Sequence, residues 1–181
     1  MIILVGASAS GKTEVAKKLG KLFGVKKAVT HTTRAMRPGE INGIDYHFVS
    51  YEQFIELKNK DFFVETTKYN DNYYGTSKVE IANDKVLIVD PSGLKAFKKL
   101  NDPCIFSFFM HASRDVRYAR MLERGDKEKA AKERIALDDA KFDPDIIKGI
   151  DFNINSETQS IRTVTIEVYE TYAKKMLELD F

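Results

Sequence analysis

The sequence is short of several things, and each shortage closes off a class of protein. Cysteine occurs once, at Cys104, so no internal disulfide can form, and one cysteine with three histidines makes no metal cluster. The surrounding CIFSFFM reads as a buried strand carrying a core thiol. No charge of one sign dominates: 29 basic and 27 acidic residues leave a net charge of +2. A field that weak gives no argument for a nucleic-acid partner, so any anion site must come from local placement. No apolar run approaches the ~20 residues of a membrane span. The apolar start MIILVGAS lacks the basic leader and the length of a signal peptide. Internal repeats and low-complexity stretches are also missing. What remains is the expectation of a soluble, cytoplasmic chain of 181 residues, 43% hydrophobic and 31% charged, forming one domain with inserted flaps.

Short apolar runs recur at 2–5, 25–30, 86–89, 104–110 and 152–154. Near-continuous apolar strands separated by helical patterns predict an α/β fold, with a parallel sheet covered on both faces. Val15, Leu19, Leu22 and Phe23 fall at helical spacing in 12–24, with Gly24 as the cap. Ile161, Val164, Val168, Tyr172 and Met176 stripe a last helix over about 160–179 and read as core packing. A different texture runs over residues 40–78. Asn42-Gly43 predicts a hairpin, and Ser50 with Gln53 predicts a capping box opening a short helix. FFVETTKYNDNYYGTS predicts two strands about a turn at 70–72. Residues 113–142 read as two helices joined at Arg124-Gly125-Asp126.

GASASGKT, covering Gly6, Ala7, Ser8, Ala9, Ser10, Gly11, Lys12 and Thr13, matches G-x-x-x-x-G-K-[ST] between a strand and a helix. Glycines let the backbone curl until its N–H groups converge, and the helix N-terminus adds positive dipole. Lys12 can reach the outer phosphates of a nucleoside triphosphate and Thr13 can ligate Mg²⁺. Asp90 ends the run KVLIVD, where a carboxylate supports the magnesium shell through water, although a strand-ending Asp often only caps a helix. Arg34 and Arg37 sit three apart before a Pro-Gly turn, with no acidic residue beside them. Two planar forks can clamp a phosphate, with Tyr46 and Tyr74 adding hydroxyls. Glu65 is a charge in an otherwise apolar and Thr-rich strand. A carboxylate can accept the adjacent N1–H and N2–H of guanine together, which adenine cannot offer. Arg117, Arg120 and Arg124 share a helix face, and Arg134 follows on the next helix.

The order THTTRAMRPGEINGIDYHFVS, FFVE, NYYGTS, with the phosphate loop before it, resembles the guanylate kinase family over nearly the whole chain. The resemblance implies a P-loop NTPase three-layer fold with a five-stranded parallel core sheet, an inserted mixed-β GMP-binding flap and a helical lid. Core, flap and lid would occupy 1–33 with 79–112 and 143–181, 34–78, and 113–142. It implies ATP and GMP as substrates, Mg²⁺ with the ATP, and a monomer or homodimer. By position, Thr30 and Thr76 supply hydroxyls near the base, and Asp90 joins the GMP side. Arg120, Arg124 and Arg134 close over the phosphates, and Asn155 contacts adenine. Four features depart from the family pattern: Ala9 in place of glycine, Ile88 in place of an acidic residue, a shortened lid at RGDKEKAA, and no Asp after Asn155. Rival readings are a P-loop kinase of another nucleotide or a sugar phosphate, and an interaction module; the latter is disfavoured by the intact Gly-Lys-Thr. A GTPase switch would need an Asn-Lys-x-Asp motif, which the chain lacks.

Overall fold

The computed structural model describes residues 1–69, 71–142 and 147–179. The expected turn residue at 70, and positions 143–146 and 180–181 of the expected core segment, lie outside the described residues.

Strand β1 (Ile2–Val5) is the middle of a five-stranded sheet. Its four side chains are fully buried, and they alternate between two cores. Ile2 and Leu4 face one helical layer, while Ile3 and Val5 face the other. That is the period-2 pattern of a strand covered on both sides, and it is why the run is wholly apolar. The sheet order is β2 (Lys26–Lys27), β7 (Lys85–Ile88), β1, β8 (Phe106–His111), β9 (Phe152–Asn155), and every pairing is parallel.

On the first face lie α1 (Lys12–Phe23) and α6 (Ile161–Leu179), joined through Val15, Leu19, Val164 and Val168. Full burial of each such side chain contributes about 1.5–3 kcal/mol. Phe23 stacks on Tyr169 with ring centroids 3.8 Å apart. Gly24 ends α1 at φ 71° as a left-handed cap, its N–H bonded to the Gly20 carbonyl. On the second face, α3 (Pro91–Lys98) buries Leu94 and Phe97.

The flap is a separate four-stranded sheet, ordered β4 (His47–Phe48), β3 (His31–Thr32), β6 (Asn72–Ser77), β5 (Phe63–Tyr69). Its first strand starts at His31, three residues before the expected boundary at 34. Helix α2 (Tyr51–Asn59) covers it and opens with the predicted Ser50–Gln53 capping box. Phe54 of α2 is fully buried and stacks on Phe63 at 4.7 Å. The lid is α4 (Arg114–Glu123) followed by α5 (Glu128–Lys141).

Three expectations change. The strand expected over 25–30 stops at Lys27, because the chain leaves the core sheet there to enter the flap. Asn42-Gly43 forms no hairpin. Gly43, at φ 80°, closes a compact loop in which its N–H bonds to Tyr46 O, while Ile44 and Asp45 N–H both bond to Ile41 O. Asn42 Oδ1 accepts the Phe48 N–H, and β4 pairs parallel with β3, so the strand edge a hairpin partner needs is already used. Cys104 is half-buried and precedes β8 instead of sitting inside it. Among the described residues no helix is long and apolar enough to cross a membrane.

Candidate active site

The loop between β1 and α1 lies at the carboxyl end of the sheet, where parallel α/β folds bind ligands. Gly6 has φ 150°, and a Cβ there would stand 2.5 Å from the Met110 carbonyl oxygen of β8. Only glycine lets the loop pass that close to the neighbouring strand. Ala9 takes φ 60°, a left-handed conformation that disfavours a side chain, and its methyl packs beside Met121, Ala131 and Ile135 of the lid. Lys12 Nζ is folded back on the loop. It donates to Gly6 O and Ala7 O at 2.7 Å each and to Ser10 Oγ at 3.3 Å. Burial pulls its pKa down to about 8, against the opposing pull of Asp138.

A cavity of about 540 Å³ opens beside this loop. Its walls include Gly11, Lys12, Thr13, Arg120, Arg124 and Gln159. Arg120 braces the loop, with Nη1 donating to Ala9 O at 3.2 Å and Nη2 to Ser156 O at 2.5 Å. Ser156, where the family pattern has Asp, is buried and shares its hydroxyl between the Ser10 and His111 carbonyls. Asn155 is exposed and is not part of the cavity wall; its Oδ1 accepts the Glu157 N–H. Ser156, Gln159 and Ile161 form that wall instead.

Arg124 and Arg134 come together on one carboxylate that sequence reasoning missed. Asp126 Oδ1 accepts from Arg124 Nε at 3.0 Å and Oδ2 from Nη2 at 2.5 Å; Arg134 Nη1 lies 3.6 Å from Oδ2.

A second cluster of the expected site residues gathers in the flap. Arg34 stacks its guanidinium 5.4 Å from the Tyr46 ring centre and 5.6 Å from that of Phe48. Tyr46 and Tyr74 rings meet edge-on at 6.1 Å. Arg34 does have an acidic neighbour: Glu40, six residues on, pairs with Nη2 at 2.6 Å and accepts the Arg37 backbone N–H at 2.7 Å. The Pro-Gly turn at 38–39 folds Glu40 back, which sequence distance concealed. The Arg37 side chain is exposed nearby.

Glu65 and Thr76 are direct partners across β5 and β6, and Thr76 Oγ1 donates to Glu65 Oε1 at 2.7 Å. Burial pushes the Glu65 carboxyl above its ordinary pKa, and Asp90 adds to the rise. Thr30 is half-buried at the entry to the flap, its carbonyl accepting the His47 N–H. Glu80, also missed from sequence, fixes that entry: buried, it accepts the Val29 N–H at 2.8 Å and pairs with Lys85 at 2.7 Å.

Asp90 follows β7, at the same carboxyl end of the sheet as the phosphate loop. Oδ1 caps α3 through Gly93 N–H and accepts from Ser92; Oδ2 pairs with Lys141 of the lid at 2.8 Å. These bonds hold its carboxyl below the usual range despite burial. Ile88 is half-buried and packs on the α1–α6 core, so no acidic side chain stands there to join Asp90. Among the described residues no group of three or more His, Cys, Asp or Glu could hold a metal. Thr13 lies on the cavity wall.

Comparison with known proteins agrees. The family model "Guanylate kinase" matches residues 1–157. Guanylate kinase of Chromohalobacter salexigens is 36% identical over 137 residues, 72% of this chain and 64% of that protein. Guanylate kinase of Legionella pneumophila (strain Lens) is 35% identical over 143 residues, 75% of this chain and 68% of that one. The chain thus spans about two thirds of the length of these relatives. A crystal structure of guanylate kinase from Anaplasma phagocytophilum overlays with TM-score 0.68 at 24% identity, covering 97% of this chain and 86% of that one. A gluconokinase from Sinorhizobium meliloti 1021 overlays with TM-score 0.56 at 13% identity, covering 98% and 94%, and so shares the fold. By the family model and by the identity of its relatives, the chain belongs to the guanylate kinase family.

Proposed function

We propose that the protein transfers the γ-phosphate of ATP to GMP, and to dGMP, giving GDP and ADP. The observation that carries this reading is the Glu65–Thr76 pair: a half-buried carboxylate two residues along the β5–β6 ladder from Tyr74 of the Arg34–Tyr46–Tyr74 cluster, an arrangement that supports guanine at the pair and a monophosphate at the cluster.

ATP binds with its phosphates on the N–H groups of residues 6–13 and its base toward the wall formed by Ser156, Gln159 and Ile161. Lys12 leaves the loop carbonyls for the outer phosphates, exchanging neutral acceptors for anionic ones. Arg34 and Arg37, with the two tyrosine hydroxyls, orient the GMP phosphate. One of its oxygens forms a bond to the γ-phosphorus while the bond from that phosphorus to the β–γ bridging oxygen breaks, and ADP leaves. The attacking phosphate is already ionised, so no general base is needed. Arg120, Arg124 and Arg134 face the charge that develops on the transferring group. Mg²⁺, held by Thr13 and through water by Asp90, would neutralise phosphate charge when bound. Closure of flap and lid excludes water and so suppresses ATP hydrolysis. A cytoplasmic location and a monomer or homodimer complete the reading.

An ADP-release assay with ATP and a panel of GMP, dGMP, AMP, CMP and UMP tests it. Turnover of GMP and dGMP alone is expected; turnover of AMP or UMP as fast as GMP would remove the role assigned to Glu65.

A further inference from the structure

Arg117 on α4 is 5% exposed, and a guanidinium that deep requires partners. Both come from α5. Nη2 donates to Asp139 Oδ1 at 2.6 Å, whereas Nη1 lies 3.7 Å from Asp138 Oδ2 and makes no hydrogen bond. Asp138 is buried too, and its Oδ2 is spent elsewhere: it accepts the backbone N–H of Ser8, inside the phosphate loop, at 2.7 Å. Lys12 feels both charges. A single lid carboxylate oxygen therefore sits between a phosphate-loop N–H and an unspent guanidinium N–H.

The packing of the lid does not call for this. Ala131, Ile135 and Asp138 fall on one face of α5, and the first two close a small apolar cluster with Met121. An apolar side chain at 138 would extend that cluster without the desolvation cost of a buried carboxylate. The N–H groups of a strand–loop–helix turn are phosphate donors, so a carboxylate on one of them is in effect a bound anion.

We infer that Asp138 Oδ2 holds the place of an oxygen of the donor's terminal phosphate, and that ATP displaces it, taking over the Ser8 N–H and the spare Nη1–H of Arg117. Arg117 is then a further lid arginine touching the transferred group, and Asp138 is an internal competitor for the γ-phosphate. This rests on the donor half of the proposed function and not on the identity of the acceptor. Because ADP lacks the terminal phosphate, the device separates triphosphate from diphosphate.

The test is direct binding, by calorimetry with Mg²⁺ and no acceptor, of adenylyl imidodiphosphate and of ADP. Asp138→Asn keeps the size and a carbonyl oxygen for the Ser8 N–H but removes the negative charge. It is expected to tighten the triphosphate analogue about tenfold and to move ADP by less than about twofold. Arg117→Met is expected to weaken the analogue about tenfold with ADP again unmoved. Where Arg117→Met fails to fold, the combination Arg117→Met/Asp138→Asn/Asp139→Asn removes the stranded charges, and it should bind the analogue more weakly than Asp138→Asn/Asp139→Asn. The Ser8 amide resonance of free Asp138→Asn should differ from wild type, and the two should converge once the analogue is bound. Equal shifts for ADP and the analogue, or weaker analogue binding by Asp138→Asn, would make the pair a scaffold and overturn the inference. Wild-type protein that binds neither nucleotide would overturn the donor-site reading itself.

Discussion

Thr76 on β6 gives its hydroxyl to Glu65 on β5, its direct cross-strand partner, at 2.7 Å. The bond fixes one carboxylate oxygen in a half-buried site where burial already disfavours charge. Glu65→Gln replaces an acceptor by an amide whose NH₂ would meet the N–H groups of guanine. We expect kcat/KM for GMP to fall by about a hundredfold, with KM for ATP within about twofold of wild type. Steady-state kinetics with each substrate varied decides it; an equal loss on both sides would place Glu65 in a structural role.

The same carboxylate sets an acid limit. Only the ionised form accepts two N–H bonds, and the folded pKa lies above the ordinary 4.5. The kcat/KM for GMP should therefore fall on acidification at a higher pH than an exposed glutamate would give, and Thr76→Val should raise that pH further. A profile for Thr76→Val that overlays the wild type would refute the coupling.

Lys12 sets the alkaline limit. Its pKa of about 8 belongs to the lysine on the loop carbonyls, so the charge needed for ATP is lost as pH rises through that value. The kcat/KM for ATP reports the free enzyme and should decline above pH 8. Bound phosphates favour the charged amine, so kcat should hold to higher pH. Lys12→Ala should cut kcat by about a thousandfold or more, with GMP binding retained. Loss of GMP affinity with catalysis intact would contradict the assignment.

Asp126 holds Arg124 and Arg134 together, and on the proposed mechanism the transferring phosphate must draw them from it. Arg124→Ala and Arg134→Ala should each lower kcat by about a hundredfold, with KM for GMP little changed. Asp126→Ala should cost less than about tenfold, since it removes only the holder. Rapid-quench measurement of the chemical step distinguishes these from effects on product release.

The flap has its own small core, and Phe54 is its centre. Phe54→Ala should destabilise by about 3–5 kcal/mol and raise KM for GMP before KM for ATP. Denaturant melts and the two KM values check both parts.

Much of this was legible from local pattern. The strand–loop–helix of residues 2–23, the Ser50 cap, the paired helices of the lid and the oddity of Glu65 are all written in neighbours within a few residues. The misreadings share one cause. Asn42-Gly43 suggests a hairpin only while β3 is out of sight; once β4 pairs with β3, the edge is taken. Glu40 looks remote from Arg34 until the turn folds it back. One signal was present and unread: Asp138 stands where the apolar stripe of α5 should continue, and a carboxylate on a buried face asks for a partner.

Most helices, the central strand, the caps and the phosphate loop were written in the sequence, because helical and strand periodicity, caps and the phosphate loop are short-range properties of the chain. Only the tertiary structure decided which charges meet. The ion pairs of Asp126 with Arg134, of Lys141 with Asp90, and of Arg117 with Asp138 beneath Ser8 depend on how lid, sheet and loop pack. Coulomb and hydrogen-bond energies fall off within a few ångströms, and no sequence spacing specifies a distance of that size between separate elements.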